Sequence, residues 1–177
     1  MSGIFKEYDI RGIYNKEIDE KIFYKIGLSL KRFNVHKIVV GRDGRLSSTS
    51  LAESFICGLT DQGIDVIYCG EVTSPMLDFY CAKKRIMGAM ITASHNPKEY
   101  NGLKFCDKEG IQLDYGTFLR YLEGEMEKNH IVSKKKGRIV KKPIIIEYTN
   151  HIIYFPSWFS SLMRSPYCHL LRICTYS

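Results

Sequence analysis

The 177-residue chain lacks several features that define common classes of protein. It has no run of eighteen apolar residues, so we expect no membrane-spanning helix. Its first stretch, MSGIFKEYDIRG, is charged and has no apolar segment, which argues against a signal peptide and predicts a cytoplasmic location. Its six cysteines form no C-x-x-C pair, so the sequence indicates no zinc site and predicts buried, reduced thiols.

Acidic residues are absent from residues 134–142, a lysine-rich run that accounts for most of the net charge of +7. Such a run can contact the phosphates of a nucleic acid. Within it, however, no aromatic residue is interleaved, and no recognition motif accompanies it. We therefore expect a basic, solvated linker over residues 134–150 and no nucleic-acid partner.

Hydrophobic periodicity alternates between helical and strand patterns along most of the chain. Helices are predicted where apolar residues recur every three or four positions, over residues 18–33, 48–62 and 114–128. A further short helix is predicted from Ser74, where Ser-Pro opens a helical turn. Strands are predicted where short apolar runs stand between turn residues: 37–40, 65–69, 87–91 and a strand-turn-strand over 102–113. This alternation predicts an α/β fold, a three-layer α/β/α sandwich with a mixed sheet.

One polar stretch, TASHNPKEYNGLK from Thr92 to Lys104, follows directly on a predicted strand. It brings a hydroxyl (Ser94), an imidazole (His95), an amide (Asn96) and an ammonium group (Lys104) to one loop. Three interpretations fit: a structural turn, a serine that carries a phosphoryl group, or a hydrolase nucleophile. The third lacks the G-x-S-x-G elbow that such a nucleophile needs.

Two further segments place arginine beside glycine. YDIRG contains Arg11, which could bind phosphate or simply pair with Asp9. GRDGRLSS contains Arg42 and Arg45 at a predicted strand end, but no G-K-[ST] follows, so it is not a Walker loop. It could equally be a loop with an arginine–aspartate pair ahead of a helix.

Taken together, YDIRG, VGRDGR, EVTSPM and T-A-S-H-N-P-x-x-Y-N-G-L-K resemble the α-D-phosphohexomutases in motif, order and spacing. That family includes phosphomannomutases, phosphoglucomutases and phosphoglucosamine mutases. The resemblance covers about residues 4–150 and implies the fold of the family's first domain. It implies a domain I over residues 1–133. The lysine run and the change in composition after about Asn150 then predict the basic linker over 134–150 and a truncated or aberrant tail over 151–177.

The resemblance also implies roles for individual residues. Ser94 matches the catalytic serine, which is phosphorylated and exchanges its phosphoryl group with a hexose phosphate through a hexose 1,6-bisphosphate. Arg11 and Lys104 match basic catalytic residues beside the phosphoserine. His95, Asn96 and Arg42 match residues of the loops that shape the substrate site. Ser94 would also bind Mg²⁺ through its phosphate.

Several features of the family are missing from the sequence. The D-G-D-x-D-R motif, whose three aspartates are the main ligands of the family's magnesium ion, does not occur. The sugar-selecting and phosphate-binding loops of the later domains are also missing. After about Asn150 the chain has no acidic residue but contains its only tryptophan. We therefore expect a truncated chain that is inactive alone. The alternative is a non-catalytic remnant, or a subunit that pairs with separately encoded domains. No preference among hexoses is predicted.

Overall fold

The structure is a computed structural model that describes residues 3–153. The chain divides into two compact units, Met1–Ile144 and Ile145–Ser177. The first contains every strand and numbered helix given below, and residues 145–153 of the second are helical. The tail predicted from residue 151 lies almost entirely outside the described residues. Within residues 3–153, no helix has the length and apolar character needed to cross a bilayer.

Six strands form one mixed sheet. In chain order they are β1 (Ile10–Ile13), β2 (Lys37–Arg42), β3 (Asp65–Glu71), β4 (Gly88–Ile91), β5 (Tyr100–Cys106) and β6 (Ile139–Lys141). Their order in the sheet is β1-β5-β4-β2-β3-β6. The neighbouring strands β4, β2, β3 and β6 run parallel to one another. Strand β5 is antiparallel to both β1 and β4. The predicted mixed sheet is confirmed.

Helices cover both faces of the sheet. They are α1 (Glu20–Ser29), α2 (Ser48–Asp61), α3 (Ser74–Lys84) and α4 (Arg120–Met126); a 3₁₀ turn (Leu30–Phe33) follows α1 and a π turn (Tyr115–Leu119) precedes α4. Alternate strand residues such as Val40 and Ile91 join the apolar core that α1, α2 and α4 complete. The opposite face carries α3, and there Gly88 lets Cys81 approach so closely that a Cβ would lie 2.4 Å from its Sγ. The three predicted layers are confirmed.

The helix boundaries differ from the prediction where side chains cap the backbone. The helix predicted over residues 18–33 begins after Asp19, whose carboxylate accepts a hydrogen bond from the Ile22 N–H. It tightens into the 3₁₀ turn and ends at Asn34, where φ is 58°. Asp114 likewise accepts from the Thr117 N–H and begins the π turn at the start of the helix predicted over 114–128.

Two short strands were not predicted, and one predicted strand is reduced to a bridge. β1 and β6 have four and three residues, too few to show an alternating pattern. The second strand predicted within residues 102–113 is limited to an isolated bridge between Cys106 and Gln112.

Part of the basic range 134–150 belongs to the first unit and contacts its sheet and α2. Its strand β6 pairs with β3, and the N–H groups of Ser133 and Gly137 donate to the carbonyl oxygens of Asp61 and Thr60 at the end of α2. A Cβ on Gly137 would lie 1.9 Å from the carbonyl oxygen of Ile64, so only glycine fits there. Most side chains of residues 134–143 are exposed.

The described cysteines form no disulfide. Cys69, Cys81 and Cys106 are buried as predicted, whereas Cys57 is exposed because it lies on the outer face of α2. Cys168 and Cys174 lie outside the described residues.

Candidate active site

The predicted serine stands on the loop between β4 and β5, which we call the serine loop (Thr92–Glu99). Thr92 is buried and still bonded to β5, through its N–H to the carbonyl oxygen of Gly102. Ser94, two residues later, is exposed at the carboxyl end of parallel strand β4. Clefts outside the carboxyl ends of parallel strands are the usual ligand sites of α/β sheets.

The backbone of Ser94 adopts the left-handed conformation, with φ at 55°. For a residue with a Cβ this conformation costs about 1–2 kcal/mol. It persists because the Ser94 N–H donates to Oγ1 of Thr92 at 2.9 Å and the next turn closes through the Asn96 N–H to the Ala93 carbonyl oxygen at 3.1 Å. The strained turn directs the serine side chain to solvent.

His95 lies within hydrogen-bonding reach of the serine hydroxyl. Its Nδ1 lies 3.5 Å from Oγ of Ser94, and both side chains are exposed. A neutral imidazole could accept the serine proton at this distance after a small closure.

Arg11 reaches the serine loop from strand β1. Residue pairing sets Arg11 opposite Gly102, and a Cβ on that glycine would collide with the β1 backbone at 2.3 Å. The Arg11 guanidinium donates through Nη1 to Oδ1 of Asn96 at 2.8 Å and pairs through Nη2 with the carboxylate of Asp9. The structure shows the pairing with Asp9, and the same guanidinium also contacts the serine loop. Phosphate binding by Arg11 stays a prediction.

Lys104 lies on β5, two residues beyond the partner of Arg11 and on the same face of the sheet. Diagonal neighbours of this kind are about 7–8 Å apart. Lys104 borders a small cavity of about 40 Å³ beside Asp78. Burial raises the pKa of the Asp78 carboxyl, and the Cys106 thiol and the charge of Lys104 oppose that rise. Among the described residues, no hydrogen bond or ion pair joins Lys104 to Ser94.

Arg42 is directed away from the serine loop. Its Nη1 donates to the carbonyl oxygen of Asp43 at 2.8 Å and to Oε2 of Glu71 at 3.1 Å, at the end of β3. The structure therefore brings together Ser94, His95, Asn96 and Arg11, sets Lys104 on the same sheet face as Arg11, and gives Arg42 other partners.

Arg45, which was not among the predicted site residues, donates hydrogen bonds to the serine loop and to the first residue of β5. Its two terminal nitrogens donate to four main-chain carbonyl oxygens, those of Ser94, Asn96, Pro97 and Tyr100, at 2.7–3.1 Å. The only sequence signal for it is the second arginine of GRDGR.

An open cleft of about 750 Å³ lies over Ser94, between the serine loop and residues 43–46. Its size suits a small polar ligand. Within residues 3–153, no three histidine, cysteine, aspartate or glutamate side chains cluster so that they could hold a metal ion. Mg²⁺ prefers six oxygen ligands, so these residues alone do not fit a magnesium site.

The chain is similar in sequence to known proteins. Residues 2–130 match the family model described as phosphoglucomutase/phosphomannomutase, alpha/beta/alpha domain I. A phosphomannomutase of Methanocaldococcus jannaschii is 47% identical over 111 residues, covering 62% of this chain and 24% of that protein. A phosphoglucomutase of Neisseria meningitidis is 40% identical over 156 residues, covering 85% of this chain and 34% of that protein.

A solved structure has the same fold. The crystal structure of a phosphoglucomutase/phosphomannomutase family protein from Burkholderia thailandensis superimposes with a TM-score of 0.71 at 27% identity, covering 85% of this chain and 35% of that chain. The chain thus spans about a quarter to a third of the length of these relatives.

Proposed function

The chain belongs to the phosphoglucomutase/phosphomannomutase family, and we propose that it supplies the phosphoserine-bearing first domain of a phosphohexomutase. The observation that carries this proposal is Ser94 itself, an exposed serine in a strained turn at the carboxyl end of β4, fixed by contacts from two arginines. The reaction is the movement of phosphate between C6 and C1 of a hexose phosphate. Relatives with three different sugar names match the chain, so the hexose stays open.

The proposed step is phosphoryl exchange at Ser94. Oγ of Ser94 attacks the phosphorus of a hexose 1,6-bisphosphate, forming a serine O–P bond while the sugar O–P bond breaks. The sugar oxygen keeps the electron pair and takes a proton, and the serine hydroxyl releases one. The reverse step phosphorylates the other sugar oxygen. Such transfers depend on positioning and on neutralising charge.

Neighbouring side chains have distinct parts in this proposal. His95 receives the serine proton, since its Nδ1 lies 3.5 Å from the hydroxyl. Arg11 and Lys104 contribute positive charge on one sheet face, where a phosphate carrying close to two negative charges would lie. Asn96 links Arg11 to the loop at 2.8 Å. Arg42 could bind substrate only if its guanidinium left its hydrogen bond to Glu71 and turned to the ligand.

We propose that magnesium binds here only when carboxylates from elsewhere join the Ser94 phosphate, because residues 3–153 bring together no cluster of three metal-binding side chains. Bound magnesium would neutralise phosphate charge. Together with the partial coverage of its relatives, this suggests that the chain alone does not turn over substrate. A cytoplasmic location remains part of the proposal.

The test is phosphorylation of Ser94. The purified chain is incubated with glucose 1,6-bisphosphate and its intact mass and phosphopeptides are measured. We expect one phosphoryl group on Ser94, no addition to Ser94→Ala, and an unchanged addition to Ser50→Ala, a serine on α2. A chain that acquires no phosphate, either alone or with a polypeptide that carries the remaining domains of the Neisseria relative, would refute the proposal. A Ser94→Ala variant that acquires as much phosphate as the wild type would also refute it.

A second experiment distinguishes a catalytic subunit from a non-catalytic remnant. The remnant is the alternative that the partial coverage of the relatives favours. The chain is assayed for conversion of hexose 1-phosphate to hexose 6-phosphate, alone and with a polypeptide that carries the remaining domains of the Neisseria relative. Turnover only in the mixture identifies a complementing subunit. No turnover in either identifies a remnant, and rapid turnover by the chain alone contradicts our expectation of inactivity.

A further inference from the structure

We propose that Arg45 is a positioning residue that holds the serine loop in the conformation needed for transfer at Ser94; this inference rests on the proposed function. The guanidinium group of Arg45 has five N–H donors in a fixed plane. Its Nη2 donates to the carbonyl oxygens of Ser94 at 3.0 Å and Asn96 at 2.7 Å. Its Nη1 donates to those of Pro97 at 2.7 Å and Tyr100 at 3.1 Å.

The fifth donor orients the guanidinium plane. Nε of Arg45 donates to Oδ2 of Asp43 at 3.2 Å, and the other oxygen of that carboxylate accepts from the Arg45 N–H and from the hydroxyl of Ser48. The N–H of Asp43 in turn donates to the carbonyl oxygen of Ile91, the last residue before the serine loop. The support of Arg45 is thus attached to the strand that carries the loop.

The same support reaches the far end of the loop. Asn101 is fully buried and donates from Nδ2 to the hydroxyls of Ser47 and Ser48 at 2.8 and 2.9 Å. Because Ser48 also donates to Asp43, a continuous chain of hydrogen bonds runs from β5 through α2 to Arg45. The loop is therefore held at its start, in its middle and at its end.

Arg45 does not itself meet the reacting atoms through these bonds. All of its donors contact the main chain or Asp43, and its side chain is only 15% exposed. Four carbonyl dipoles converge on one cation, so removing the cation leaves them facing one another. The left-handed turn at Ser94 would then lose a contact that opposes its strain.

Lysine cannot replace this geometry, because its three donors radiate from one nitrogen rather than from a planar fork. Arg45→Lys keeps the charge and Arg45→Ala removes it. Arg138→Lys is the matched control: Arg138 pairs with Asp65 at the opposite edge of the sheet and is 85% exposed.

The first measurement is amide hydrogen exchange in peptides covering residues 92–104 of the full chain. We expect exchange about tenfold faster in Arg45→Lys and faster still in Arg45→Ala, because hydrogen bonds to a charged group are among the strongest. Peptides of β3 should exchange at the wild-type rate in both Arg45 variants. In the Arg138→Lys variant, residues 92–104 should exchange at the wild-type rate. Wild-type exchange over residues 92–104 in Arg45→Lys would overturn the proposal, even if Arg45→Ala fails to fold.

The second measurement is the rate of Ser94 phosphorylation at increasing glucose 1,6-bisphosphate. A small displacement of reacting groups can cost about a hundredfold in rate, so we expect the maximal rate to fall by about that factor in Arg45→Lys while the half-saturating concentration changes little. A pure rise in the half-saturating concentration would make Arg45 a binding residue instead and overturn the proposal. If the wild-type chain is never phosphorylated while exchange still responds, the proposed function fails and the positioning by Arg45 stands.

Discussion

The guanidinium of Arg11 donates through Nη1 to Oδ1 of Asn96 at 2.8 Å, and this bond joins edge strand β1 to the serine loop across 85 residues of sequence. The same arginine is paired with Asp9, which is 3% exposed. The geometry of the loop therefore depends on how the first strand pairs with β5, and not only on the loop's own turns.

A double-mutant cycle should measure this link. We expect Arg11→Ala and Asn96→Ala to show a coupling free energy of about 1.5 kcal/mol in urea unfolding, because the hydrogen bond involves a charged donor in a partly buried position. Arg11→Ala combined with Ser133→Ala should be additive, because Ser133 lies beyond α4 and contacts the far end of α2. A cycle for Arg11 and Asn96 that is additive within about 0.3 kcal/mol would show that the bond does not form in solution.

The packing of α3 on the sheet makes a second prediction. A Cβ on Gly88 would lie 2.4 Å from Sγ of Cys81 and 2.7 Å from Sγ of Cys106, so Gly88→Ala should destabilise the fold by about 1–3 kcal/mol. Gly124 is the control, since it lies inside α4 and a Cβ there meets nothing within 4 Å. Gly124→Ala should stabilise the fold by up to about 1 kcal/mol. Equal unfolding midpoints for the two variants would contradict the packing.

Much of the fold could be predicted because its signals are local. The apolar residues of α2 recur on one side, as the sequence indicates, and the helix ends just before Gly63, where φ is 75°. β1 and β6 could not be predicted, since they are strands only through their pairing with β5 and β3. Three or four residues carry too little periodicity to show that pairing in advance.

The site was predictable in part for the same reason. Ser94 follows a strand, so its exposure at the strand end could be expected from the sequence. The sequence could not predict which arginine of GRDGR contacts the serine loop. Arg42 ends β2 and bonds to Glu71, whereas Arg45 lies beyond the strand and bonds back to the loop. That choice depends on where β4 and its loop lie in space.

The stability of the fold in alkali should depend on Tyr24. The hydrogen bond that its hydroxyl donates to Asp61 raises the pKa of Tyr24 to about 12. Because the unfolded value is about 10, the contribution of this bond is complete below that pH and is lost as the pH rises towards the folded pKa. Tyr24→Phe should therefore be less stable by about 1 kcal/mol near neutral pH and equal to the wild type near pH ~12.

Urea unfolding of both proteins between about pH 8 and pH 12 measures this difference. Tyr14 also has a raised pKa, through its hydrogen bond to Glu20, so the comparison uses the difference between wild type and Tyr24→Phe rather than the wild-type curve alone. A difference that stays constant across the range would mean that Asp61 does not hold the proton on Tyr24.

The backbone strain at Ser94 should be measurable as a difference in unfolding free energy between variants at this position. Glycine adopts the left-handed conformation freely, whereas alanine keeps the steric cost of a Cβ, so Ser94→Gly should be about 1 kcal/mol more stable than Ser94→Ala. At Ser50 on α2 the order should reverse, with glycine about 1 kcal/mol less stable than alanine. Neither variant at position 94 should accept phosphate, because both lack the hydroxyl. If Ser94→Ala proved as stable as Ser94→Gly, the loop would not hold the left-handed turn in solution, and the exposure of the serine would need another cause.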